Sequence, residues 1–283
     1  MVHKAVIVAA GYGSRFFPVT RCVPKEMLPL GTRPALDLVI EELVDAGITD
    51  ILVLTSRRKK VLEDWFDRSP ELETVFAARP DRRDKLTPPG VRVQFARQRE
   101  MRGTGHALML AAGFAGDDPI LVAYPDDLFA GDNVSRRMID AYGMSGHSVL
   151  AVHDFGEEDV SRYGVVDVAP REDHLWSVRG MIEKPPRGTE PSKLVSLGRY
   201  LLTPGFFTHL AEGLKAHQEG EYYHVYGLQK LAEDGALVAC DVSASGHQDT
   251  GEPLGYWKTV VEHALQDPRD GDAFLAWLTS RVS

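Results

Sequence analysis

Short uninterrupted apolar runs alternate with stretches of helical periodicity along the first half of the chain. Ala5-Val6-Ile7-Val8-Ala9, Ile51-Leu52-Val53-Leu54 and Ile120-Leu121-Val122-Ala123 lack polar alternation, as strands covered on both faces do. Val91, Val93 and Phe95 alternate instead, and Ser148 to Val152 returns to a continuous strand pattern. Between these runs Leu36, Val39, Ile40, Leu43 and Val44 recur at helical spacing, with Gly47 as the stop. Val61, Leu62, Trp65 and Phe66 predict a second helix, and a third is expected from about Gly105 to Phe114. Asn133 reads as the N-cap of a fourth, which carries Val134, Met138, Ile139 and Tyr142. This βαβ alternation predicts an α/β fold with a parallel doubly wound sheet.

The rhythm changes from about Gly156. Tyr163 to Val168 and Leu175 to Val178 predict a hairpin joined by polar turn residues. Helices are expected from about Pro204 to His217 and Tyr223 to Asp234, separated by Gly220, and Val238-Ala239-Cys240 predicts one more strand. Two short helices split by Asp267-Pro268 form the tail, whose Trp257, Leu265, Phe274 and Trp277 read as packing against the chain's own core. Arg79 to Pro89 is polar and proline-rich and predicts a surface loop. With no repeat and no low-complexity linker, the chain reads as one domain. Its parts are expected at about 1–155, an elaborating lobe at about 156–255 and C-terminal helices at about 256–283.

Composition narrows the function classes. The 283 residues are 43% hydrophobic and 26% charged, with a formal net charge of −9. That balance argues against nucleic-acid binding or a polybasic membrane surface, which need a cationic face. No apolar run approaches the roughly 20 residues of a membrane span, and Met1-Val2-His3-Lys4 leads into a strand rather than a signal peptide. Cys22 and Cys240 cannot form a disulfide framework, so a cytoplasmic location is expected.

Ala10-Gly11-Tyr12-Gly13-Ser14-Arg15-Phe16-Phe17-Pro18 follows the first strand directly. Glycines there let backbone N–H groups approach an anion, although a G-x-G pair equally serves a plain tight turn. Phe16 stands where a dinucleotide fingerprint has its third glycine, and no Walker A ending is present, so a nicotinamide oxidoreductase is disfavoured. Residues 1–30 instead carry Lys4, Arg15, Arg21 and Lys25 against Glu26 alone. A guanidinium can clamp neighbouring phosphate oxygens, and a lysine acts as a point charge on a leaving oxygen. Arg15 and Lys25 are therefore the candidate phosphate partners.

Ala9 to Arg15, then Pro18, Thr20 and Pro24-Lys25-Glu26-Met27-Leu28-Pro29, resemble the signature of the sugar-1-phosphate nucleotidyltransferases. The likeness is to the branch of bacterial UTP–glucose-1-phosphate uridylyltransferases, or UDP-glucose pyrophosphorylases. It continues through Gln98, Gly103-Thr104-Gly105-His106-Ala107, Pro125-Asp126, Tyr163 to Asp167, Glu183-Lys184-Pro185, Gly198-Arg199-Tyr200 and Asp249-Thr250-Gly251, covering nearly the whole chain in order.

The resemblance implies a Rossmann-like doubly wound mixed sheet, the nucleotidyltransferase fold, with a smaller sugar-binding β/α lobe. It implies transfer of a nucleoside monophosphate, from UTP first of all, to a sugar 1-phosphate with release of pyrophosphate. Thymidylyl, guanylyl or adenylyl transfer remains open, as does a non-catalytic sensor of nucleotide sugars. Arg15 and Lys25 would be catalytic. Ala9, Ala10, Gly11, Gly13, Glu26, Gln98 and Gly103 would hold the nucleotide, and Asp126 and Asp249 would bind Mg²⁺. Asp127 could lie outside that shell, while His106 could be only a polar residue at a helix start. An amide such as Gln98 can pair with a pyrimidine carbonyl and imide N–H together. Gly164, Glu183 and Lys184 match sugar-phosphate positions. In the segment Glu221-Tyr222-Tyr223-His224 the family has an acidic residue, and either Glu221 or Tyr222 could stand in its place. With Tyr222 there, the acceptor is expected to be a modified sugar or cyclitol phosphate rather than glucose 1-phosphate. A homo-oligomer is also implied.

Overall fold

The computed structural model describes residues 2–83, 90–171 and 175–282. Its strands of three residues or more begin, in chain order, with Lys4–Val8 (β1), Asp50–Ser56 (β2), Arg92–Gln98 (β3), Ile120–Ala123 (β4), Asp127–Phe129 (β5) and Ser148–Asp154 (β6). Gly164–Pro170 (β7), Trp176–Glu183 (β8), Leu194–Leu202 (β9), Leu237–Asp241 (β10) and His247–Asp249 (β11) follow. The longer helices are Ala35–Asp45 (α1), Lys60–Phe66 (α2), Thr104–Met109 (α3), Val134–Ser145 (α4), Pro204–Ala216 (α5), Val225–Glu233 (α6), Pro253–Leu265 (α7) and Gly271–Val282 (α8).

Nine strands form one sheet in the order β3-β2-β1-β4-β9-β6-β10-β8-β7. The pairs β3–β2, β2–β1 and β1–β4 are parallel, as the apolar runs predict. β9 then enters antiparallel to both β4 and β6, which makes the sheet mixed. The predicted hairpin is β7–β8, with residues 172–174 of its connection outside the described residues. Adjacent side chains of β1 point to opposite faces, so Ile7 packs in one core and Val6 in the other. Helices α1 and α4 cover the first face through Leu36, Ile40, Leu43 and Met138. Helices α3, α5 and α6 cover the second through Leu108, Phe206, Leu210 and Leu228.

Most expected elements stand where the pattern put them. Asn133 caps α4 by accepting the Arg136 N–H at 2.8 Å. The single helix expected from Gly105 to Phe114 is instead two short ones, α3 and Ala112–Ala115. The stretch expected as a loop from Arg79 starts with a helical turn at Pro80–Arg83, and residues 84–89 lie outside the described residues. In the tail, Trp257 stays 63% exposed, so its packing on the chain's own core is only partial. Among the described residues no helix is long and apolar enough to cross a membrane.

Candidate active site

The loop after β1 opens at the carboxyl end of the parallel strands, where ligands of open α/β sheets gather. Ala9 and Ala10 are buried at its root, and the Ala9 N–H bonds the Leu54 carbonyl at 2.9 Å. Gly13 has φ +65°, and a Cβ there would stand 3.1 Å from Thr20 Cγ2. Thr20 Oγ1 donates to the Gly13 carbonyl at 2.8 Å and closes the loop.

Lys25 lies on the next turn and forms a short ion pair with Asp126. Burial works against the Lys25 charge, but Asp126, Glu26 and Asp127 outweigh it and hold the ammonium pKa above its ordinary value. Asp126 sits between β4 and β5, and β5 pairs with β11 so that Asp127 lies opposite Asp249. Thr250 donates its N–H (2.7 Å) and hydroxyl (3.0 Å) to the Asp126 carbonyl, tying the two acidic segments together. A Cβ on Gly251 would meet Asp126 Oδ2 at 2.7 Å and Asp249 Oδ1 at 3.0 Å. Both carboxylates therefore converge on a spot that only glycine leaves open. Burial, then Asp127 and Asp126, push the Asp249 carboxyl above its ordinary value, an environment that favours a cation.

Two hard carboxylates suit a small divalent ion that keeps water and phosphate oxygens for the rest of its shell. Among the described residues no group of three or more His, Cys, Asp or Glu side chains has metal-binding geometry. Asp127 is otherwise engaged: it pairs with His247 Nε2 at 2.7 Å and accepts the Gly198 N–H at 3.1 Å.

Two cavities flank this centre. One, of about 180 Å³, is lined by Arg15, Asp126, Asp127, Arg162, Tyr163 and Asp249 among others. Arg15 Nη1 reaches the Gly251 carbonyl at 3.4 Å. Beside Tyr163, the Lys184 N–H bonds the Tyr163 carbonyl at 3.0 Å. Lys184 is the one non-glycine residue at positive φ (+50°) among the described residues, and such strain concentrates at functional positions. Gly164 faces Glu183 across the hairpin, and a Cβ on it would press on the Glu183 carboxylate at 3.2 Å. The second cavity, of about 220 Å³, is lined by Ala10, Gly11, Tyr12, Gln98, Gly103, Glu221 and Tyr223 with apolar neighbours.

Residues 4–265 match the protein family described as Nucleotidyl transferase. The chain belongs to that family. A UTP–glucose-1-phosphate uridylyltransferase of Staphylococcus epidermidis is 37% identical over 288 residues, which cover 98% of each chain. One of Bacillus subtilis is 37% identical over 286 residues, covering 98% of this chain and 96% of that protein. Among solved structures, a UTP-bound UGPase from Acinetobacter baumannii superposes with a TM-score of 0.88 at 32% identity, covering 99% of both chains. A UDP-glucose pyrophosphorylase complexed with UDP-glucose gives a TM-score of 0.81 at 31% identity, over 93% of this chain and 98% of that one.

In this nucleotidyl transferase Arg15, Asp126 and Asp249 line the first cavity and Ala10, Gly11, Gln98, Gly103 and Glu221 the second, whereas the Glu26 and Tyr222 side chains are buried away from both. Glu26 is 2% exposed, and both its oxygens accept from Lys59 Nζ, at 2.7 and 2.8 Å. Its carboxylate is an internal counter-ion beneath the loop, so the expectation that it contacts the nucleotide is corrected. Tyr222 is 4% exposed and donates its hydroxyl to the Leu210 carbonyl at 2.7 Å. Backbone bonds set this direction: Tyr222 N–H to Arg102 O and Gly105 N–H to Tyr222 O, both 2.8 Å. Tyr222 is thus a core residue, whereas its neighbour Glu221 lines the second cavity. With Tyr222 buried, the expectation of a modified sugar or cyclitol phosphate loses its basis.

Sequence reasoning missed Arg162 and Lys59. Arg162 lines the first cavity and stands 5.6 Å over the Tyr163 ring. Lys59 lies 33 residues from Glu26, so no local pattern could reveal the pair. Gly103 has a testable role of its own. At φ +92° a Cβ would stand 2.5 Å from the Tyr222 carbonyl oxygen, on the wall of the second cavity. Gly103→Ala is expected to cost about 1–3 kcal/mol, read as a lower midpoint of urea unfolding.

Proposed function

We propose that the protein transfers a uridylyl group from UTP to glucose 1-phosphate, forming UDP-glucose and releasing pyrophosphate, with Mg²⁺ as the metal. The convergence of Asp126 and Asp249 on Gly251, with Lys25 bonded to Asp126 and Arg15 beside them, carries this reading. The cavity of Gly11, Gln98 and Gly103 takes the nucleoside, and the cavity beside Tyr163 takes the phosphates and the sugar phosphate. Relatives named for this reaction span nearly the whole chain.

The reaction is an in-line displacement at the α-phosphorus. A phosphate monoester oxygen is itself the nucleophile, so the protein needs no covalent intermediate and works by positioning and charge compensation. Lys25 and Arg15 balance charge on the triphosphate and the departing pyrophosphate. Lys184 and the strained turn that holds it position the acceptor phosphate beside Glu183. Glu221, on the wall of the nucleoside cavity, accepts hydrogen bonds from ribose hydroxyls. Asp126 and Asp249 would hold Mg²⁺, which when bound supplies positive charge to the reacting phosphates. Free Cys22 and Cys240 fit work in a reducing cytoplasm.

Pyrophosphate release over a matrix of nucleoside triphosphates and sugar 1-phosphates tests this. UTP with glucose 1-phosphate is expected to give the highest kcat/KM, EDTA to abolish turnover and excess Mg²⁺ to restore it. A faster pairing elsewhere in the matrix would overturn the substrate assignment, and turnover unaffected by EDTA would overturn the metal.

A further inference from the structure

Gln98 ends β3 and is 3% exposed, yet it lines the second cavity. Its Nε2 has two neighbours, the Gly103 carbonyl at 3.2 Å and His106 Nδ1 at 3.1 Å. A primary amide has two N–H donors, and here both are committed. The Gly103 carbonyl can only accept, so it decides which end of the amide is nitrogen. That in turn obliges His106 Nδ1 to accept, which a neutral ring with its proton on Nε2 does. Burial and the Arg102 charge keep the His106 pKa below its ordinary value, against a smaller opposing effect of Glu100. Gln98 Oε1 has no protein partner among the described residues. The group this amide offers a ligand in the cavity is therefore a lone acceptor.

We infer that His106 is a positioning residue for base selection: by taking the second N–H of Gln98, it leaves only Oε1 to meet the base. The inference rests on reading this cavity as the nucleotide site. An acceptor at that point requires an N–H on the base edge, as the imide N3–H of uracil supplies. Cytosine presents an unprotonated N3 there, and two acceptors facing one another leave both without a partner. The two-point pairing expected of Gln98 is thus reduced to one, with His106 and Gly103 holding the other end of the amide. His106 does not touch the base and acts only through Gln98.

With an apolar residue in place of His106 the Gly103 carbonyl alone holds Nε2, so the amide can turn over at the loss of that single bond and present an N–H to cytosine N3. In His106→Leu the preference for UTP over CTP, as a ratio of Kd values from calorimetry, is expected to fall about tenfold or more. His106→Asn, whose Oδ1 can replace Nδ1 as the acceptor, is expected to restore the ratio. A merely structural role would weaken both nucleotides alike and leave their ratio unmoved. A wild-type ratio in His106→Leu, or an Asn variant that behaves like Leu, would overturn the inference. Should His106→Leu fail to fold, the unaltered protein still decides through N3-methyl-UTP, which lacks the imide proton. Its Kd is expected to be at least about tenfold weaker than that of UTP, and equal binding would overturn the inference. Because these are binding ratios, they stay readable if UTP with glucose 1-phosphate yields no pyrophosphate, the separate result that would defeat the proposed reaction.

Discussion

Lys25→Ala is expected to lower turnover on the order of 100-fold or more, the usual effect of removing one electrostatic donor from a water-poor site. The lysine is placed by its turn and by Asp126, and its raised pKa keeps it charged throughout the neutral range. Truncation removes that charge from the phosphates and leaves Asp126 without its partner. Lys25→Arg retains the charge on a wider planar head and is expected to recover only part of the rate. Pyrophosphate release by the purified variants is the measurement, with circular dichroism confirming the fold. Turnover like that of the unaltered protein in Lys25→Ala would remove the residue from the mechanism.

The largest effect on stability is expected from Arg199→Met. Arg199 is 0% exposed in the middle of β9 and holds Glu42 of α1 through two bonds, at 3.1 and 2.8 Å. Its remaining nitrogen donates to the Tyr124 carbonyl at 2.9 Å and the Gly198 carbonyl at 3.1 Å. The guanidinium lies 5.3 Å from the Phe129 ring centre. Burial opposes ionisation of Glu42, yet Arg199 and Ser135 hold its pKa below the ordinary value. Removing the arginine alone strands a buried carboxylate, at about 3–5 kcal/mol. The double variant Arg199→Met/Glu42→Leu is expected to recover most of the loss, because an ion pair replaced as a whole by apolar groups can be nearly neutral. Urea unfolding of both variants is the check, and a single variant within about 1 kcal/mol of the unaltered protein would contradict the account.

The same arginine explains what the sequence hid. β1, β2, β4 and β6 are legible because a strand covered on both faces must be apolar at every position. β9 is just as buried, but Gly198-Arg199 breaks its apolar run, and nothing nearby announces the counter-ion 157 residues away. Gly198 is there because a side chain would strike the Asp127 carboxylate and Tyr124. Arg15 and Lys25 stand out in the sequence by their charge beside the glycine loop, whereas Asp126, Asp249 and Gln98 stand out there only through the family resemblance. Glu26 and Tyr222 were misread because their surroundings, not their chemistry, decide what they face. Lys59 sequesters Glu26, and two backbone bonds turn Tyr222 inward. His106 was visible as a residue, but its part depends on both donors of Gln98 being occupied, which only the folded geometry reveals.

The position of β9 also governs how this architecture can be recombined. Although it comes late in the chain, it lies between β4 and β6 and bonds to both. Exchanging residues 1–155 with the equivalent piece of a relative would therefore seat β9 between two strands that both come from that relative, with Arg199 reaching for a foreign partner at position 42. A chimera made to combine one enzyme's base preference with another's acceptor preference needs β9 to travel with the N-terminal half.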